Sequence, residues 1–542
     1  MNKILTVILI NLLFIACVSE KQKTETKRTD LLVAEFDKNI VETVQGKVRG
    51  YKLGETYIFK GIPYAKADRF MPPHEPDSWE GIRNSMAYGY MSPQQIGRGN
   101  DESAFLHQHS VGYMDEDCQR LNIWTQGIND DKKRPVMVWL HGGGFTAGSG
   151  QDLPSYDGEN ISKKGDVVLV NLNHRLNVLG FLNLSDFGDK YKYSGNVGIM
   201  DLVAALQWIN KNIAAFGGDP NNVTIFGQSG GGGKVTALLD IPSAQGLFHR
   251  AIIQSGARTY FSASKYSKMI GQEVLKEFGL QASQVDELQK IPYETLIDVS
   301  EKVIDRLNHD VTVTDIPLYG GSGAFRWNPC VDSDFMPFHP LDEEVLTLNS
   351  NVPIIIGSNK NEGEPFSQSI TGGPKTMEET KEKLRENFGD KTDEYIELVK
   401  KIYPNDIRPI DFVNIDIAYR LRGQTLAAHR AKSNPVYMYF FKWNSTIIDG
   451  RFQSHHSLEI PFVLNNINKC REMTGESEEA YLLADRMSQA WINFAVTGDP
   501  NHEGLPPWQT YSKENGATMV FDNVCQVLSH HDQKLLDYVG KL

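Results

Sequence analysis

Residues 227–231, with the sequence GQSGG, constrain this chain more than any other segment. They follow an apolar run at residues 223–226 and precede a helix-like stretch at residues 234–239. A strand, a G-x-S-x-G turn and a helix in that order form a nucleophile elbow, which holds the serine hydroxyl above the edge of a sheet. Only glycine fits around so tight a turn, because it has no Cβ. The pattern therefore predicts acyl chemistry at Ser229.

Two other interpretations of this turn remain open. A Gly-rich strand–helix turn can carry a solvated serine that has no catalytic role. Gly233 and Lys234 also suggest a phosphate-binding loop, but that motif needs Gly five positions before Gly233 and Ser or Thr after the lysine. The chain has Gln228 and Val235 at those positions, which argues against nucleotide binding.

Composition excludes one class of partner. The chain has 542 residues and a net charge of −13, with 40% hydrophobic and 23% charged residues, as expected for a soluble globular protein. Nucleic-acid binding depends on cationic neutralisation of phosphates, so an acidic chain argues against nucleic acid as a partner. A small neutral substrate is compatible with this charge.

The N-terminus resembles an export signal. Lys3 precedes an apolar run at residues 4–16, which is short for a membrane-spanning helix and typical of a secretory signal. Residues 14–17, FIAC, resemble a bacterial lipobox, although Phe14 stands where leucine is usual. The resemblance implies cleavage before Cys17, lipidation of its thiol, and export as a membrane-anchored lipoprotein of the periplasm or cell surface. The alternative is cleavage nearby and release as a secreted soluble protein.

The segment after this signal is polar. Residues 19–28 contain no apolar side chain and too little to bury, so they predict a flexible tether. We therefore expect a signal at residues 1–16, a tether at residues 17–36 and a single domain at residues 37–542. The remaining cysteines lack the spacing of a zinc site, and their pairing cannot be read from the sequence; they are Cys118, Cys330, Cys470 and Cys525.

The rest of the chain alternates predicted strands and helices. Apolar runs that predict strands occur at residues 122–124, 136–140, 166–171, 252–254, 353–357 and 436–440. Residues 41–70 favour antiparallel hairpins, and residues 201–216 have helical spacing. The alternation predicts a mainly parallel sheet with crossover helices. Two longer polar stretches, residues 262–346 and 376–431, are interpreted as insertions over the catalytic edge of that sheet.

A second glycine-rich segment complements the elbow. Residues 141–145, HGGGF, follow the predicted strand at residues 136–140. Such a loop supplies backbone N–H groups to a developing oxyanion, since glycine leaves no side chain in the way. A plain Gly-rich turn is the alternative, and it is less expected when the elbow follows in the same chain.

With these motifs, the chain strongly resembles the type-B carboxylesterase and cholinesterase family of α/β-hydrolases. The likeness runs from about residue 41 to residue 522. It rests on residues 59–65 (FKGIPYA), 69–70 (RF), 116–122 (EDCQRLN), 173–181 (NHRLNVLGF), 216–220 (FGGDP) and 494–500 (FAVTGDP). The resemblance implies the α/β-hydrolase fold, a large, mostly parallel central sheet with helices on both faces and helical insertions over the catalytic edge.

The resemblance also assigns the partners of Ser229. Residues 359–363, NKNEG, match the acid motif of the family and make Glu362 the orienting carboxylate. Residues 456–463, HSLEIPFV, match its histidine motif and make His456 the base, with the adjacent His455 as the alternative. The order Ser, Glu, His is that of the α/β-hydrolases.

Further residues follow from the same resemblance. Gly143, Gly144 and Gly230 are implied as oxyanion donors, and Ser255 as a buried residue that supports the triad or has a structural role. Gln228 stands where the cholinesterases carry glutamate, so choline esters are less expected as substrates.

The family's bridge from Cys118 has no upstream partner except Cys17, so we expect it to be absent. The resemblance implies neither a metal nor an organic cofactor.

The sequence therefore predicts a serine carboxylesterase that hydrolyses small-molecule esters through an acyl-enzyme. The base must be neutral, so activity should fall below its pKa, ordinarily about 6.5. The alternatives are a cholinesterase-like binding or adhesion ectodomain and an amidase on the same fold. Acyl and alcohol specificity and the oligomeric state are not determined by the sequence. Three aromatic residues in or beside the two insertions could line the substrate pockets, but we interpret them more readily as core residues: Phe325, Trp327 and Phe366.

Overall fold

The protein is built around a 12-stranded sheet. The computed structural model describes residues 31–97, 101–313, 325–332, 334–365 and 373–540, so the predicted signal, Cys17 and Phe366 lie outside the described residues. The strands of the sheet are, in chain order, β1 (Leu32–Val33), β2 (Tyr51–Leu53), β3 (Thr56–Pro63), β4 (Arg120–Thr125), β5 (Arg134–Leu140), β6 (Val168–Leu172), β7 (Gly218–Gln228), β8 (Arg250–Gln254), β9 (Ile354–Asn359), β10 (Val436–Phe441), β11 (Ala517–Phe521) and β12 (Gln526–Ser529).

The sheet is parallel through its middle and antiparallel at both ends. Its spatial order is β1-β2-β3-β4-β6-β5-β7-β8-β9-β10-β11-β12. Every neighbouring pair from β6 to β11 is parallel, whereas the outer pairs are antiparallel. Parallel strands need crossover connections that cover both faces, which explains why these strands are largely apolar, apart from residues 219–222 at the start of β7. The predicted mostly parallel α/β sheet is confirmed.

Helices pack on both faces of the sheet. They are α1 (Asp101–Leu106), α2 (Glu159–Gly165), α3 (Asn177–Phe181), α4 (Val197–Asn212), α5 (Gly230–Leu239), α6 (Ser264–Glu277), α7 (Tyr293–Asp310), α8 (Met377–Phe388), α9 (Thr392–Ile402), α10 (Ala418–Arg430), α11 (Ile447–Gly450), α12 (Ile460–Val463), α13 (Arg471–Thr474), α14 (Glu478–Thr497) and α15 (Gln533–Val539). Alternate residues of β5 enter opposite cores, because successive side chains of a strand point to opposite faces. Val138 joins the core that contains Leu202 of α4, and Trp139 joins the core that contains Trp491 of α14.

The N-terminal region forms the predicted hairpins. β2 pairs with β3, and Ile40–Thr43 pairs with Gly46–Arg49, both antiparallel. The sheet begins before the domain boundary that we expected at residue 37, because β1 (Leu32–Val33) pairs with β2 at the edge of the sheet. Leu32 and Val33 supply strand-forming side chains here, in contrast to the polar residues 19–28.

The two predicted insertions are helical. Residues 262–346 contain α6 and α7, and residues 376–431 contain α8, α9 and α10. Phe325 and Trp327 are buried and belong to the main core, so both are core residues. Cys118, Cys330, Cys470 and Cys525 are free thiols. A search of the described helices finds none whose length and apolar character would suit a membrane span.

Candidate active site

Ser229 occupies a strained turn between β7 and α5. Its backbone has φ 57° and ψ −120°, a conformation that non-glycine residues rarely adopt. The Ser229 N–H donates to the Gln254 carbonyl at 2.8 Å, and the Gly233 N–H donates to the Ser229 carbonyl at 3.1 Å. These bonds tie the turn to β8 on one side and to the first turn of α5 on the other. The side chain, which is partly exposed, is thereby lifted to the end of the sheet.

The loop after β5 lies directly against this turn. A Cβ on Gly230 would sit 2.2 Å from the Gly144 carbonyl oxygen, so only glycine permits the approach. Gly143 and Gly144 have φ values of +80° and +63°, and Gly143 is exposed. Within the described part of the chain, the Gly143 and Gly144 amides donate no backbone hydrogen bond. The first N–H groups of a helix such as α5 also lack intrahelical partners. The three glycines predicted as oxyanion donors are therefore brought together.

Glu362 and His456 meet beside this turn. Glu362 follows β9, and its Oε1 accepts a hydrogen bond from the Asn359 backbone N–H at 2.7 Å. Its Oε2 lies 2.5 Å from His456 Nδ1. The His456 N–H donates to the Glu364 carbonyl at 2.9 Å, which connects the acid loop to the histidine loop through the backbone. Both side chains are buried, so the imidazole is held in one orientation.

His455 lies elsewhere, although it is the next residue along the chain. Its Nδ1 contacts the His456 carbonyl oxygen at 2.8 Å. Its ring packs edge-on against the ring of His107, with centroids 5.8 Å apart. Burial lowers the pKa of His455 to about 4. Of the two candidates, the structure brings His456 to the Glu362 carboxylate.

Three carboxylates surround the His456 ring. Burial by itself lowers the pKa of His456, but the hydrogen bond and charge of Glu362, together with the charges of Glu459 and Asp416, raise it above its ordinary value. Burial and the charge of Glu362 raise the pKa of Glu459 to about 7. The same two causes raise the pKa of Asp416 to about 7. These carboxylates therefore stabilise the imidazolium form of His456 relative to that of an ordinary histidine.

The two residues predicted to support the triad differ in their contacts. Gln228 Nε2 lies 3.1 Å from His456 Nε2, so this amide lies beside the predicted base. Ser255 is buried, and its N–H donates to the Gly357 carbonyl at 2.8 Å. The Ser255 hydroxyl makes no hydrogen bond to any described residue, so its predicted support of Glu362 and His456 stays a prediction.

A cavity of roughly 370 Å³ opens over these groups. Ser229, Glu362, His456 and Gly143 contribute to its lining, together with Tyr419 of α10. The same cavity is lined by His107, His109 and Asp152, and His109 Nδ1 lies 2.9 Å from Asp152 Oδ1. That hydrogen bond raises the pKa of His109. The volume suits a small organic molecule.

Sequence reasoning missed a buried lysine beneath the glycine loop. Lys234 of α5 is fully buried, and its Nζ donates to the His141 carbonyl at 2.8 Å. The His141 ring stacks on His174 with centroids 5.3 Å apart. Burial lowers the pKa of Lys234 well below its ordinary value of 10.5. This amine therefore supports the start of the loop that contains Gly143 and Gly144.

The chemistry of the site comes from side chains and backbone amides. Within the described ranges, no group of three or more His, Cys, Asp and Glu side chains is arranged to hold a metal ion. A hydroxyl on a strained turn, an imidazole oriented by a carboxylate and convergent N–H groups are the parts that nucleophilic acyl transfer requires.

Comparisons with known proteins agree with this geometry. The family model of the carboxylesterase family matches residues 37–537. The para-nitrobenzyl esterase of Bacillus subtilis is 32% identical over 89% of this chain and 95% of its own length. Phenmedipham hydrolase of Pseudarthrobacter oxydans is 33% identical over 89% and 94%. A solved esterase from Clostridium hathewayi that hydrolyses aliphatic aromatic polyesters superposes with a TM-score of 0.85 and 36% identity, covering 94% and 99% of the two chains.

Replacing the buried lysine tests its protonation state. Because the folded-state pKa of Lys234 is lowered, the unfolded chain holds an additional proton between the folded pKa and about 10.4. The free energy of unfolding of the wild type should therefore rise with pH across this window. In Lys234→Met that rise should be smaller by at least about 1 kcal/mol between neutral and alkaline pH. Urea unfolding at a series of pH values measures the difference.

The matched control is Lys302→Met, which removes an exposed lysine from α7. It should keep the pH dependence of the wild type. An identical pH dependence in Lys234→Met and the wild type would show that Lys234 is charged in the folded protein.

Proposed function

We propose that Ser229, His456 and Glu362 perform the ester hydrolysis of this protein. The chain belongs to the carboxylesterase family and hydrolyses carboxylic esters. The observation that carries the proposal is the short contact between His456 Nδ1 and Glu362 Oε2, 2.5 Å, in the cavity that Ser229 lines. A carboxylate at Nδ1 places the proton of the neutral ring on that nitrogen. Nε2 is then the ring nitrogen that can accept a proton from a hydroxyl.

The reaction has two steps in this proposal. His456 takes the proton of the Ser229 hydroxyl as Oγ attacks the ester carbonyl, and then gives that proton to the leaving alcohol. Water, activated by the same imidazole, next attacks the acyl-serine, and the acid is released. Glu362 stabilises the imidazolium that forms in each step.

The negative oxygen of each tetrahedral intermediate is bound by N–H groups of Gly143, Gly144 and Gly230. The contact between Gly230 and Gly144 supports this role, since it places both backbones around one point. Such donors contribute most when they are fixed before the reaction, and removing one typically lowers the rate by about 10²–10³-fold. The strained turn at Ser229 and the buried Lys234 amine keep these amides in position.

The substrates are proposed to be small esters with an aromatic component. The relatives named above act on para-nitrobenzyl esters, phenmedipham and aliphatic aromatic polyesters, as their names state. The cavity of roughly 370 Å³ is compatible with one aromatic ring and a short acyl chain. Neutral Gln228 beside His456 adds no negative charge that would select a cationic alcohol.

We propose further that the mature protein is anchored to a membrane through lipid on Cys17. The support comes from the apolar run at residues 4–16, which only Thr6 and Asn11 interrupt, from the FIAC sequence at residues 14–17 and from the polar residues 19–28 that follow. The catalytic domain would then lie at the membrane surface, in the periplasm or on the cell surface.

Substitution of Ser229 tests the proposed nucleophile. In Ser229→Ala, kcat/KM for 4-nitrophenyl butyrate should fall by at least about 10³-fold, because acyl-enzyme formation is lost. Rates on 4-nitrophenyl butyrate and on the matched amide, butyric acid 4-nitroanilide, should show preference for the ester in the wild type. The control Ser185→Ala should retain wild-type activity, since Ser185 lies outside the cavity. Substantial ester hydrolysis by purified Ser229→Ala would contradict the assignment.

The pH profile tests the proposed base. His456 must be neutral to accept the proton, and its pKa is raised, so kcat/KM should fall as the pH drops, with a midpoint above about 6.5. In Glu362→Gln the midpoint should move to lower pH, since the main group that raises this pKa is gone, and the rate should also fall. The apparent value belongs to the whole cluster, because Asp416 and Glu459 also titrate near pH 7. A wild-type profile that is flat from pH 5 to 8 would contradict the role of His456.

Cell fractionation tests the anchor. The wild type should sediment with membranes and carry a diacylglyceryl group on its N-terminal cysteine, as intact-mass measurement would show. Cys17→Ser should lose that mass and leave the membrane fraction, whereas Cys525→Ser should behave as the wild type. Equal membrane association of Cys17→Ser and wild type would exclude this anchor.

A further inference from the structure

A second histidine–carboxylate pair lines the catalytic cavity. His109 Nδ1 lies 2.9 Å from Asp152 Oδ1, and both residues belong to the cavity lining, as do Ser229 and His456. The contact repeats the one between His456 and Glu362, since a carboxylate oxygen meets Nδ1 of the ring in each pair. The hydrolysis proposed above uses one imidazole as its base. The other pair, which we call the His109–Asp152 pair, therefore needs a separate explanation.

Backbone hydrogen bonds fix the position of this pair. The Ser110 N–H donates to the Asp152 carbonyl at 2.7 Å, and the His109 N–H donates to the His107 carbonyl at 2.6 Å. Asp152 lies in the segment that follows the glycine loop of residues 141–145. The segment that carries His109 is therefore tied to the continuation of the loop that carries the predicted oxyanion donors.

The pair lies where the cavity meets solvent. The side chain of Asp152 is 19% exposed and that of His109 is 46% exposed. Behind His109 lies the buried ring of His107, with the ring centroids 5.8 Å apart. Burial lowers the pKa of His107 well below its ordinary value, so this neighbour is neutral. Among the described residues, Asp152 is the only hydrogen-bond partner of the His109 side chain, so Nε2 can bind a ligand.

The charge of the pair limits the ligands that it can bind. A protonated His109 and an ionised Asp152 have no net charge together, and a neutral His109 leaves the negative charge of Asp152. The pair therefore does not attract an anion in either state. Because Asp152 keeps a proton on Nδ1, Nε2 donates a hydrogen bond when the ring is protonated and accepts one when it is neutral. A hydroxyl can both accept and donate, so it fits both states, whereas an ether or carbonyl oxygen fits only one.

The lining next to the pair contains apolar side chains as well as one hydroxyl. Val111 and Leu153 are close to the pair along the chain, and Ser110 directly follows His109. A substrate hydroxyl that enters such a surface loses hydrogen bonds to water, and this loss is costly unless a partner replaces them. His109 Nε2 supplies such a partner from a ring that Asp152 holds in place.

We propose that the His109–Asp152 pair binds a hydroxyl group of the ester substrate and thereby determines substrate preference. The preferred substrates are then hydroxylated esters, for example 2-hydroxyethyl esters of aromatic acids. His109 takes no part in breaking the ester bond, and its hydrogen bond orients the substrate against Ser229. The inference rests on the proposed function of Ser229, His456 and Glu362, and it specifies the substrate class of that site.

Paired esters in which a hydroxyl replaces a methyl group test the proposal. On the alcohol side, 2-hydroxyethyl benzoate is compared with propyl benzoate. On the acyl side, 4-nitrophenyl 6-hydroxyhexanoate is compared with 4-nitrophenyl heptanoate. The measured quantity is the ratio of kcat/KM for the hydroxylated ester to that for its partner, divided by the same ratio for hydroxide-catalysed hydrolysis. In the wild type this ratio should exceed one in at least one pair, although a methyl group is the easier of the two to desolvate.

Variants of the pair should lower that ratio. His109→Leu removes the hydrogen bond and should reduce the ratio by at least about three-fold. Asp152→Ala should change it in the same direction, because the ring loses the contact that fixes its orientation. The matched control is His309→Leu, which removes an exposed histidine of α7 whose Nδ1 contacts Asp310 Oδ1 at 2.7 Å, outside the cavity lining. This control should keep the wild-type ratio.

Two results would overturn the proposal. The first is a wild-type ratio of one or less in both pairs. The second is a ratio that stays at the wild-type value in His109→Leu and Asp152→Ala. That second result includes an equal loss of activity on both esters of a pair, which would assign the histidine and the aspartate a structural role. Either result leaves the proposed triad intact, because Ser229→Ala tests the triad by the loss of hydrolysis of esters without a hydroxyl.

Discussion

The register of four parallel strands is the constraint on which the site depends. Gly227 of β7 lies beside Leu140 of β5, Gln228 lies beside Gln254 of β8, and Gln254 lies beside Gly357 of β9. Parallel strands in this register end at one edge of the sheet, so the segments that follow them emerge side by side. Those segments carry the glycine loop, Ser229, Ser255 and Glu362, and His456 reaches them from the loop after β10.

Acidic side chains gather near a single imidazole at this edge, namely Glu362, Asp416 and Glu459. Burial, followed by the charge of Glu362, raises the pKa of Asp416 and of Glu459 to about 7.

Much of this arrangement could be predicted from the sequence, for local reasons. The continuous apolar runs predicted strands buried on both faces, and the structure has strands at residues such as Val136 and Ile354. The glycines around Ser229 and Gly143 indicated tight turns, because no other residue permits the backbone contacts that the structure contains. The family resemblance supplied Glu362 and His456, and no periodicity would have selected His456 among the 14 histidines. What the resemblance could not supply was the direction in which the pKa of the base is shifted, which depends on burial and on the charges of Glu362, Glu459 and Asp416.

The sequence by itself therefore determined the strands, the turns and the chemical identity of the reacting groups, since these depend on the shape and polarity of neighbouring residues. The family's histidine motif favoured His456 over His455, and the tertiary structure shows that His456 contacts Glu362 while His455 does not, because adjacent residues point in different directions once the loop after β10 is packed. It also decided the surroundings of Lys234, a cation that looks like an ordinary surface residue in the sequence. The burial of Lys234 depends on segments far away along the chain, and such contacts are specified by packing rather than by local pattern.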